Sequence, residues 1–410
     1  MIDSREQSGF RTFLEVAKAN MRNYSMFLVL ALIMAGFAVL TNGVNLHPRN
    51  FTYIFIQNSY ILILAVGMVL VIIVGNIDLS VGSLTAFTGA MAAIFFNRFG
   101  FGFIPTVILT FAVGALVGMY QGYFIAYVKI PAFIVTLAGM MLFRGLTYIV
   151  TNVTPITPRT DIFKETASGT LDVFYVMRMV PNSRGVMVEQ AFHLLPLALV
   201  ALAIVLMVAF GLRERQNKIK NDFHVLPVGY FIAKQVFMGG ILVLLGYKFA
   251  QYRGLPNVFI ILGITVLIFT FITNNTVFGR YIYAVGGNAK SAKLSGINSE
   301  RVIFFVHVIM GILCGLSGIV FTGYMNSALP DAGKDFELEA IAACFIGGAS
   351  TTGGVGTIIG AMMGGLVMGV INNGMSLMNI GANWQYVVKA SVLLLAVWYD
   401  IYTRKKSGLA

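Results

Sequence analysis

The sequence has few charged residues and little material for metal sites or disulfides. Charged side chains make up 11% of its 410 residues, against roughly 25% in soluble domains. Its two cysteines lie inside apolar runs, and its four histidines have no metal-ligand spacing. No constellation of catalytic side chains is present. These absences argue against a soluble domain, a disulfide scaffold and an enzyme.

Hydrophobic residues, in contrast, make up 58% of the chain and form long runs. Nearly every run reaches the roughly 17–25 residues that cross a bilayer as a helix. The pattern predicts an all-α polytopic membrane protein with about 10–12 transmembrane or half-spanning helices. The apolar runs are 24–41, 55–75, 81–96, 104–127, 131–150, 191–212, 230–249, 258–273, 302–324 and 385–402.

Lysine and arginine indicate which side of the membrane each loop faces. Alternating spans from a cytoplasmic N-terminus places most Lys and Arg of the short loops inside, as the positive-inside rule requires. The net charge of +12 is therefore assigned to span ends and cytoplasmic loops rather than to nucleic-acid binding. Cytoplasmic tails at 1–23 and 403–410 are predicted to flank a transmembrane domain at 24–402. Within that domain, 151–190 is predicted to be an extracytoplasmic loop and 213–228 a cytoplasmic loop.

A basic polar segment, 278–301, separates two apolar runs and is predicted to be cytoplasmic. It contains a turn signal at 286–288, a helix-compatible run at 289–294 and a glycine stop at 296. A short helix across the cytoplasmic face suits a membrane subunit that a soluble motor moves. We therefore expect this segment to be a coupling loop. Its candidate residues are Arg280, Gly286, Gly287, Asn288, Lys290, Lys293, Leu294 and Gly296.

Two interruptions break the apolar pattern at membrane depth. One, 75–80, is polar; the other, 347–354, is Gly-rich and is predicted to divide 338–373 into two short helices. Irregular backbone survives at this depth only where protein or a wet cavity covers it. Paired interruptions mark the transport pathway in many transporters. The segments 81–84 and 355–358 that follow the breaks are weakly similar, which leaves both an internal repeat and a chance match open.

Asp78 is the one acid inside the predicted apolar core, where a carboxylate marks function by default. Two compatible roles are a pathway gate and a helix cap, in which Asp78 or Ser80 accepts hydrogen bonds from the next helix. Arg144 is expected to pair with Asp78 or with loop carbonyl groups. The scarcity of other acids disfavours proton coupling. The pathway or gate candidates are Asn58, Asp78, Ser80, Gln121, Arg144, Gly347, Gly348, Gly353, Gly354, Asn372 and Asn373.

Several segments together carry a family resemblance. They are GNIDLSVGS (75–83), KIPAFIVTLAGMMLFRGLT (129–147), YRGLPNV (252–258), FGRYIYAVGGNAKSAKLSGIN (278–298), ELEAIAACFIGGASTTGGVGTIIGA (337–361), NNGMS (372–376) and WQYVVKASVLLLAVWYD (384–400). With them the chain resembles the permease subunits of the ABC importers for monosaccharides, the ribose, xylose and galactose group. Within this group it is most similar to multiple-monosaccharide and xylose permeases.

The resemblance implies a permease that carries a monosaccharide such as xylose, galactose or arabinose across a bacterial inner membrane. It implies an ATPase subunit that holds ATP and Mg²⁺, a second permease copy and an extracytoplasmic sugar-binding protein. It implies no catalytic residue, metal or cofactor on this chain, and a coupling helix within 278–298. Alternatives are a permease for another small solute, such as branched-chain amino acids, and, less favoured, an ion-coupled secondary transporter.

Sugars are bound by planar hydrogen-bonding groups and by aromatic faces. Residues of these types near span ends and breaks are candidates for sugar contact: Gln57, Asn58, Gln121, Asn372, Asn373, Trp384 and Gln385. The sequence does not name the sugar.

Overall fold

Helices form nearly all of the regular structure. The computed structural model describes residues 26–181, 187–221, 223, 225 and 228–406. In chain order its helices are α1 (Met26–Leu40), α2 (Pro48–Ile73), α3 (Val81–Asn97), α4 (Phe103–Ala126), α5 (Ala132–Thr151), α6 (Ile162–Ser168), α7 (Leu195–Lys220), α8 (Val228–Ala250), α9 (Asn257–Asn275), α10 (Val277–Gly287), α11 (Ala289–Leu294), α12 (Ser299–Met325), α13 (Phe336–Ile346), α14 (Ile358–Leu377) and α15 (Ala382–Lys406).

Eight of the described helices are long and apolar enough to cross a membrane: α2, α4, α5, α7, α8, α9, α12 and α14. Two shorter apolar helices, α1 and α3, accompany them. The prediction of an all-α polytopic membrane protein is confirmed. The predicted run 385–402 is helical, as part of α15, but α15 is not among the eight candidate spans.

The described residues also form four strands. β1 (Thr170–Leu171) pairs antiparallel with β4 (Leu255–Pro256). β2 (Tyr175–Pro181) and β3 (Met187–His193) form an antiparallel hairpin. The segment 151–190, expected to be a loop, therefore contains α6 and most of this hairpin. Because β3 runs to His193, α7 begins at Leu195 and not at 191, where the apolar run begins.

Two other expectations about helix length were wrong. The segment 213–228, expected to be a loop, is helical as far as Lys220. Residues there favour helix, and the Lys218 ammonium lies 2.6 Å from the Glu214 carboxylate one turn earlier. The Gly-rich break does separate two helices, but only α13, with 11 residues, is short. α14 has 20 residues. Its glycines do not end the helix, and they allow it to pack closely against the backbone of neighbouring residues.

The described residues form two compact units. One comprises 26–28, His47–Thr52 and Thr170–Pro256, with α7, α8 and the β2–β3 hairpin. The other contains most of α1 and α2, the remaining helices and every candidate site residue. In this second unit residues 61–74 are all buried, so α2 is its central helix. Around it α12 and α4 meet at glycines: a Cβ on Gly114 would lie 2.2 Å from the Gly311 carbonyl oxygen.

Candidate functional site

A polar cavity of about 340 Å³ lies among α2, α13, α14, α15 and the end of α12. This volume is within the range of roughly 300–1,000 Å³ of small-molecule sites. Of the candidates for sugar contact, Gln57, Asn58, Asn372 and Asn373 line it, whereas Gln121, Trp384 and Gln385 do not. The full lining is Gln57, Asn58, Tyr60, Tyr324, Lys334, Asp335, Phe336, Glu339, Gly369, Asn372, Asn373, Ser376, Tyr386 and Lys389.

Aromatic rings form one wall of this cavity. The ring centroid of Tyr60 lies 4.7 Å from that of Phe336 and 6.1 Å from that of Tyr324. Phe321 packs edge-on against Tyr60 at 4.8 Å and supports it. Such closely packed rings are rigid and offer apolar faces beside polar groups. These rings were not predicted from the sequence, because an aromatic residue in an apolar run has the same pattern whether it packs in the core or faces a cavity.

The charged groups that line the cavity are paired. The Lys389 ammonium lies 2.7 Å from the Glu339 carboxylate, with side chains 18% and 20% exposed. The Tyr386 hydroxyl donates to Asp335 at 3.2 Å. Lys334 is paired with Asp331, 3.0 Å away, in the preceding loop. The two cations and two anions of the lining cancel in formal charge, so the cavity carries no net charge.

Asn58 and Asn372 occupy different hydrogen-bonding situations. The Asn58 amide nitrogen donates to the Ile54 carbonyl oxygen at 2.7 Å, and a Cβ on Gly369 would lie 2.6 Å from the Asn58 side chain. Asn58 is therefore fixed between α2 and α14. The amide oxygen of Asn372, in contrast, is buried and has no hydrogen-bond partner among the described residues. A buried acceptor without a partner costs about 1–3 kcal/mol, which a bound donor would recover.

Asp78 lies outside the cavity, in a buried polar node before α3. Its carboxylate accepts hydrogen bonds from the Ser80 backbone N–H at 2.8 Å and from the Ser80 hydroxyl at 2.6 Å. The Gln121 amide donates to the Ser80 hydroxyl oxygen at 2.8 Å. The predicted helix cap is not made: Asp78 accepts from the N-cap residue Ser80 and not from a residue of α3, and the Ser80 side chain makes no cap bond. Asp78 instead closes a turn before α3, and its role as a gate stays a prediction.

Arg144 bonds to loop carbonyl groups, which is one of its two predicted arrangements. Its guanidinium donates to the Ala332 carbonyl oxygen, in the loop between α12 and α13. The Tyr148 hydroxyl, one turn along α5, donates to Asp331 of the same loop at 2.7 Å. This bond and the neighbouring Lys334 hold the pKa of Asp331 below its ordinary value. Arg144 thus anchors the loop that enters α13.

The predicted coupling loop and the Gly-rich break meet at a tight junction. The Gly354 N–H donates to the carbonyl oxygen of Ile73, the last residue of α2, at 2.8 Å, and Gly354 has φ +73°. A Cβ on Gly286, in α10, would lie 1.7 Å from that same Ile73 oxygen. The Tyr283 hydroxyl donates to the Gly356 carbonyl oxygen at 2.8 Å. Only glycine fits at position 286, so the backbones of α10 and α2 are in direct contact here.

The other glycines of the break lie beside this junction. A Cβ on Gly353 would lie 3.2 Å from the Gly75 Cα, which places the two predicted breaks next to each other. At the other end of the break, a Cβ on Gly347 would lie 2.2 Å from the Gly360 carbonyl oxygen of α14. Gly348 follows with no close neighbour.

The predicted short helix is present as α11, with the expected bounds. The Asn288 side chain caps it by accepting from the Ser291 N–H at 2.9 Å. Lys293 lies 3.3 Å from Glu300, which also contacts Lys129 at 3.1 Å. Leu294 is 84% exposed. The remaining coupling candidates are also exposed: Arg280, Gly287, Lys290 and Gly296.

α2 connects the cavity with the junction. Asn58 lines the cavity, and Ile73, the last residue of α2, lies at the junction. The two residues are 15 positions apart, which is about 22 Å along a helix axis. Candidate residues at both places were predicted from the sequence, but not that α2 joins the cavity to the junction.

Comparison with known proteins gives the family. Residues 50–397 match the family described as branched-chain amino acid transport system, permease component. The xylose transport system permease protein of Haemophilus influenzae is 37% identical over 96% of this chain and 99% of its own length. That of Escherichia coli is 37% identical over 95% and 94%. The ribose import permease protein of Escherichia coli is 34% identical over 84% and 83%.

No solved structure matches the chain. The family match covers most of the chain, and the relatives are aligned over most of their own lengths, so the whole membrane domain is shared and not one segment. The apolar helices of the structure agree with these matches. The chain therefore belongs to this family of transport-system permease components, as a multi-pass membrane protein.

Proposed function

We propose that the chain is the membrane-spanning permease of a binding-protein-dependent ABC importer for a monosaccharide. The support is its similarity over nearly full length to relatives named for xylose and ribose transport. A partner ATPase would hold ATP and Mg²⁺, a second permease copy would complete the pathway, and an extracytoplasmic protein would deliver the sugar. In this proposal the orientation is the predicted one, with both termini in the cytoplasm.

The observation that carries the mechanism is the junction of α10, α2 and the Gly-rich break. α11 presents an exposed apolar residue, Leu294, on which a soluble partner can act. The backbone contact at Gly286 has no flexible side chain between α10 and α2, so a displacement of α11 reaches the end of α2 with little loss. ATP binding by the partner would then shift the membrane helices between outward-open and inward-open states.

The cavity favours a sugar over an amino acid, the solute in the family's description. A zwitterionic amino acid has a carboxylate and an ammonium group, and each needs an oppositely charged partner when it is desolvated. The charged groups of the cavity are paired with protein groups, as Lys389 is with Glu339. A neutral polyhydroxyl solute needs only the hydrogen-bonding and aromatic groups that remain.

The test is a substitution on the exposed face of α11. Leu294→Glu should abolish ATP-dependent xylose uptake into proteoliposomes that contain the permease, its ATPase and its binding protein. Because Leu294 is 84% exposed, the melting temperature should stay unchanged. Val44→Glu is the matched control, since Val44 is 50% exposed in a 3-10 turn at the other end of α2.

Normal uptake by Leu294→Glu would show that α11 is not the coupling element. Uptake by the wild-type permease alone, driven by an ion gradient without the ATPase, would overturn the importer assignment.

A further inference from the structure

We propose that the cavity lined by Asn58, Asn372 and the Glu339–Lys389 pair is a transit site for a neutral sugar, and that this ion pair excludes charged solutes. The proposal rests on the proposed function and deepens it. It assigns the substrate's place in the membrane domain and the residues that select its charge.

The first argument is the chemistry of the lining. Four carboxamide side chains, from Gln57, Asn58, Asn372 and Asn373, combine with the rings of Tyr60, Tyr324, Phe336 and Tyr386. Carboxamides donate and accept at once, which suits hydroxyl groups, and ring faces suit the C–H surface of a pyranose. This composition also distinguishes the cavity from the apolar surroundings of α2.

The second argument is the unpartnered amide oxygen of Asn372. It is buried and accepts no hydrogen bond from the described residues. Nearly all such atoms have a partner in folded proteins, so each exception needs an explanation. Asn372 lines the cavity, so a rotation of its carboxamide would bring this oxygen to a sugar hydroxyl.

The third argument is the Glu339–Lys389 pair, which joins α13 to α15 across the cavity wall. Its two side chains are mostly buried, at 20% and 18% exposure, and their charged atoms are 2.7 Å apart. Each charge neutralises the other, so the site attracts neither anions nor cations. Opening the pair to accept a charged solute would leave one of the two groups unpaired, at a large cost.

The location suits a transit site. α13 and α14 flank the Gly-rich break, and Asn372 and Asn373 are near the end of α14 away from it. α2, with Asn58, ends at the junction that receives the coupling loop. A movement at the junction would therefore change the spacing of the helices that line the cavity.

Binding is tested by the melting temperature of the full chain, purified in detergent, at increasing D-xylose concentrations, since a ligand of the folded state stabilises it. Xylose should raise the wild-type melting temperature. Asn372→Leu should weaken the apparent affinity about five- to tenfold, the loss expected for one hydrogen bond. Asn217→Leu is the matched control, an exposed asparagine of α7.

Selectivity is tested by a gain of binding, which misfolding does not produce. Lys389→Met leaves the Glu339 carboxylate unpaired, so protonated D-glucosamine should stabilise this variant and not the wild type. Lys164→Met is the matched control, because its ammonium is exposed and 4.0 Å from Asp161.

The outcomes separate the two proposals. Unchanged xylose affinity in Asn372→Leu, or equal glucosamine effects in Lys389→Met and the wild type, would overturn the transit site. Stabilisation of the wild type by leucine but not by xylose would overturn the assignment of a neutral sugar. ATP-dependent xylose uptake with no xylose effect on the melting temperature would reject the site and leave the importer function standing.

Discussion

α2 is packed less closely at Asn58, near its middle, than at Ile73, its last residue. At Asn58 the helix borders a cavity of about 340 Å³ with polar and aromatic walls. At Ile73 its carbonyl oxygen accepts a hydrogen bond from Gly354 and touches the backbone of Gly286, with no room for a Cβ. A site that admits and releases a solute, the role proposed for the cavity, needs space. A contact that transmits a displacement, the role proposed for the junction, needs stiffness. One helix has both environments, 15 residues apart.

The difference also separates the two groups of candidate residues by chemistry. The cavity is lined by side chains, so substitutions can change its properties while the backbone stays the same. The junction uses glycine backbone, where nearly any substitution adds atoms that do not fit. We therefore expect substitutions in the cavity to change affinity and selectivity, and substitutions at the junction to change stability and coupling.

The largest effect is expected at the junction. Gly286→Val would place side-chain atoms against the Ile73 carbonyl oxygen, where even a Cβ would be 1.7 Å away. Overpacking of this severity should destabilise the fold by about 3 kcal/mol and prevent uptake. The measurement is the melting temperature in detergent, followed by ATP-dependent uptake for any variant that inserts.

Gly287→Val is the control for this prediction. The neighbouring glycine has nothing within 4 Å of its Cβ position, so the fold should tolerate the valine. Equal melting temperatures for the two variants would mean that the junction is not rigid, and the contrast between Ile73 and Asn58 of α2 would fail.

A smaller effect is expected at the buried node next to the junction. Asp78→Asn weakens the bonds that Asp78 accepts from Ser80, which should cost about 1–3 kcal/mol of stability. The amount of sugar carried per ATP hydrolysed should not change, because Asp78 does not line the cavity. Both quantities are measured on the same preparation.

Asp161→Asn provides the comparison, since Asp161 is 74% exposed and its side chain makes no cap bond. If Asp78→Asn lowered transport per ATP without lowering the melting temperature, the gate role for Asp78 would be correct. The functional contrast between the node and the cavity would then disappear.

The smallest effect is expected at Glu300, which holds α11 through Lys293 and also contacts Lys129. The lysines are largely exposed, so Glu300→Gln should cost no more than about 1 kcal/mol. Uptake at low salt should fall slightly, and the difference from wild type should vanish at high salt because ions screen the pairs.

Glu214→Gln is a suitable control, because Glu214 forms an exposed pair with Lys218 within α7. A loss of uptake for Glu300→Gln that persists at high salt would show that the pairs do more than hold α11 in place.

Several features were predictable because they depend on local sequence. Long apolar runs can satisfy their backbone in a membrane only as helices, so α4, α5 and α12 end within a few residues of their predicted bounds. Asn288 and the glycine at 296 bound α11 through capping and turn geometry, which are also local. The β2–β3 hairpin was missed because the last residues of β3, 191–193, belong to the apolar run that was predicted to be one helix.

The sequence by itself determined the class of the protein: most of the long helices, the broken segments, the short helix α11 and the family. Only the tertiary structure decided which residues meet. It placed Gly286 on Ile73, paired Glu339 with Lys389, assigned Arg144 to the Ala332 carbonyl and removed Asp78 from the cavity. Helix formation depends on neighbours within one or two turns, whereas these contacts join residues far apart in the chain, and their distances follow from how whole helices pack.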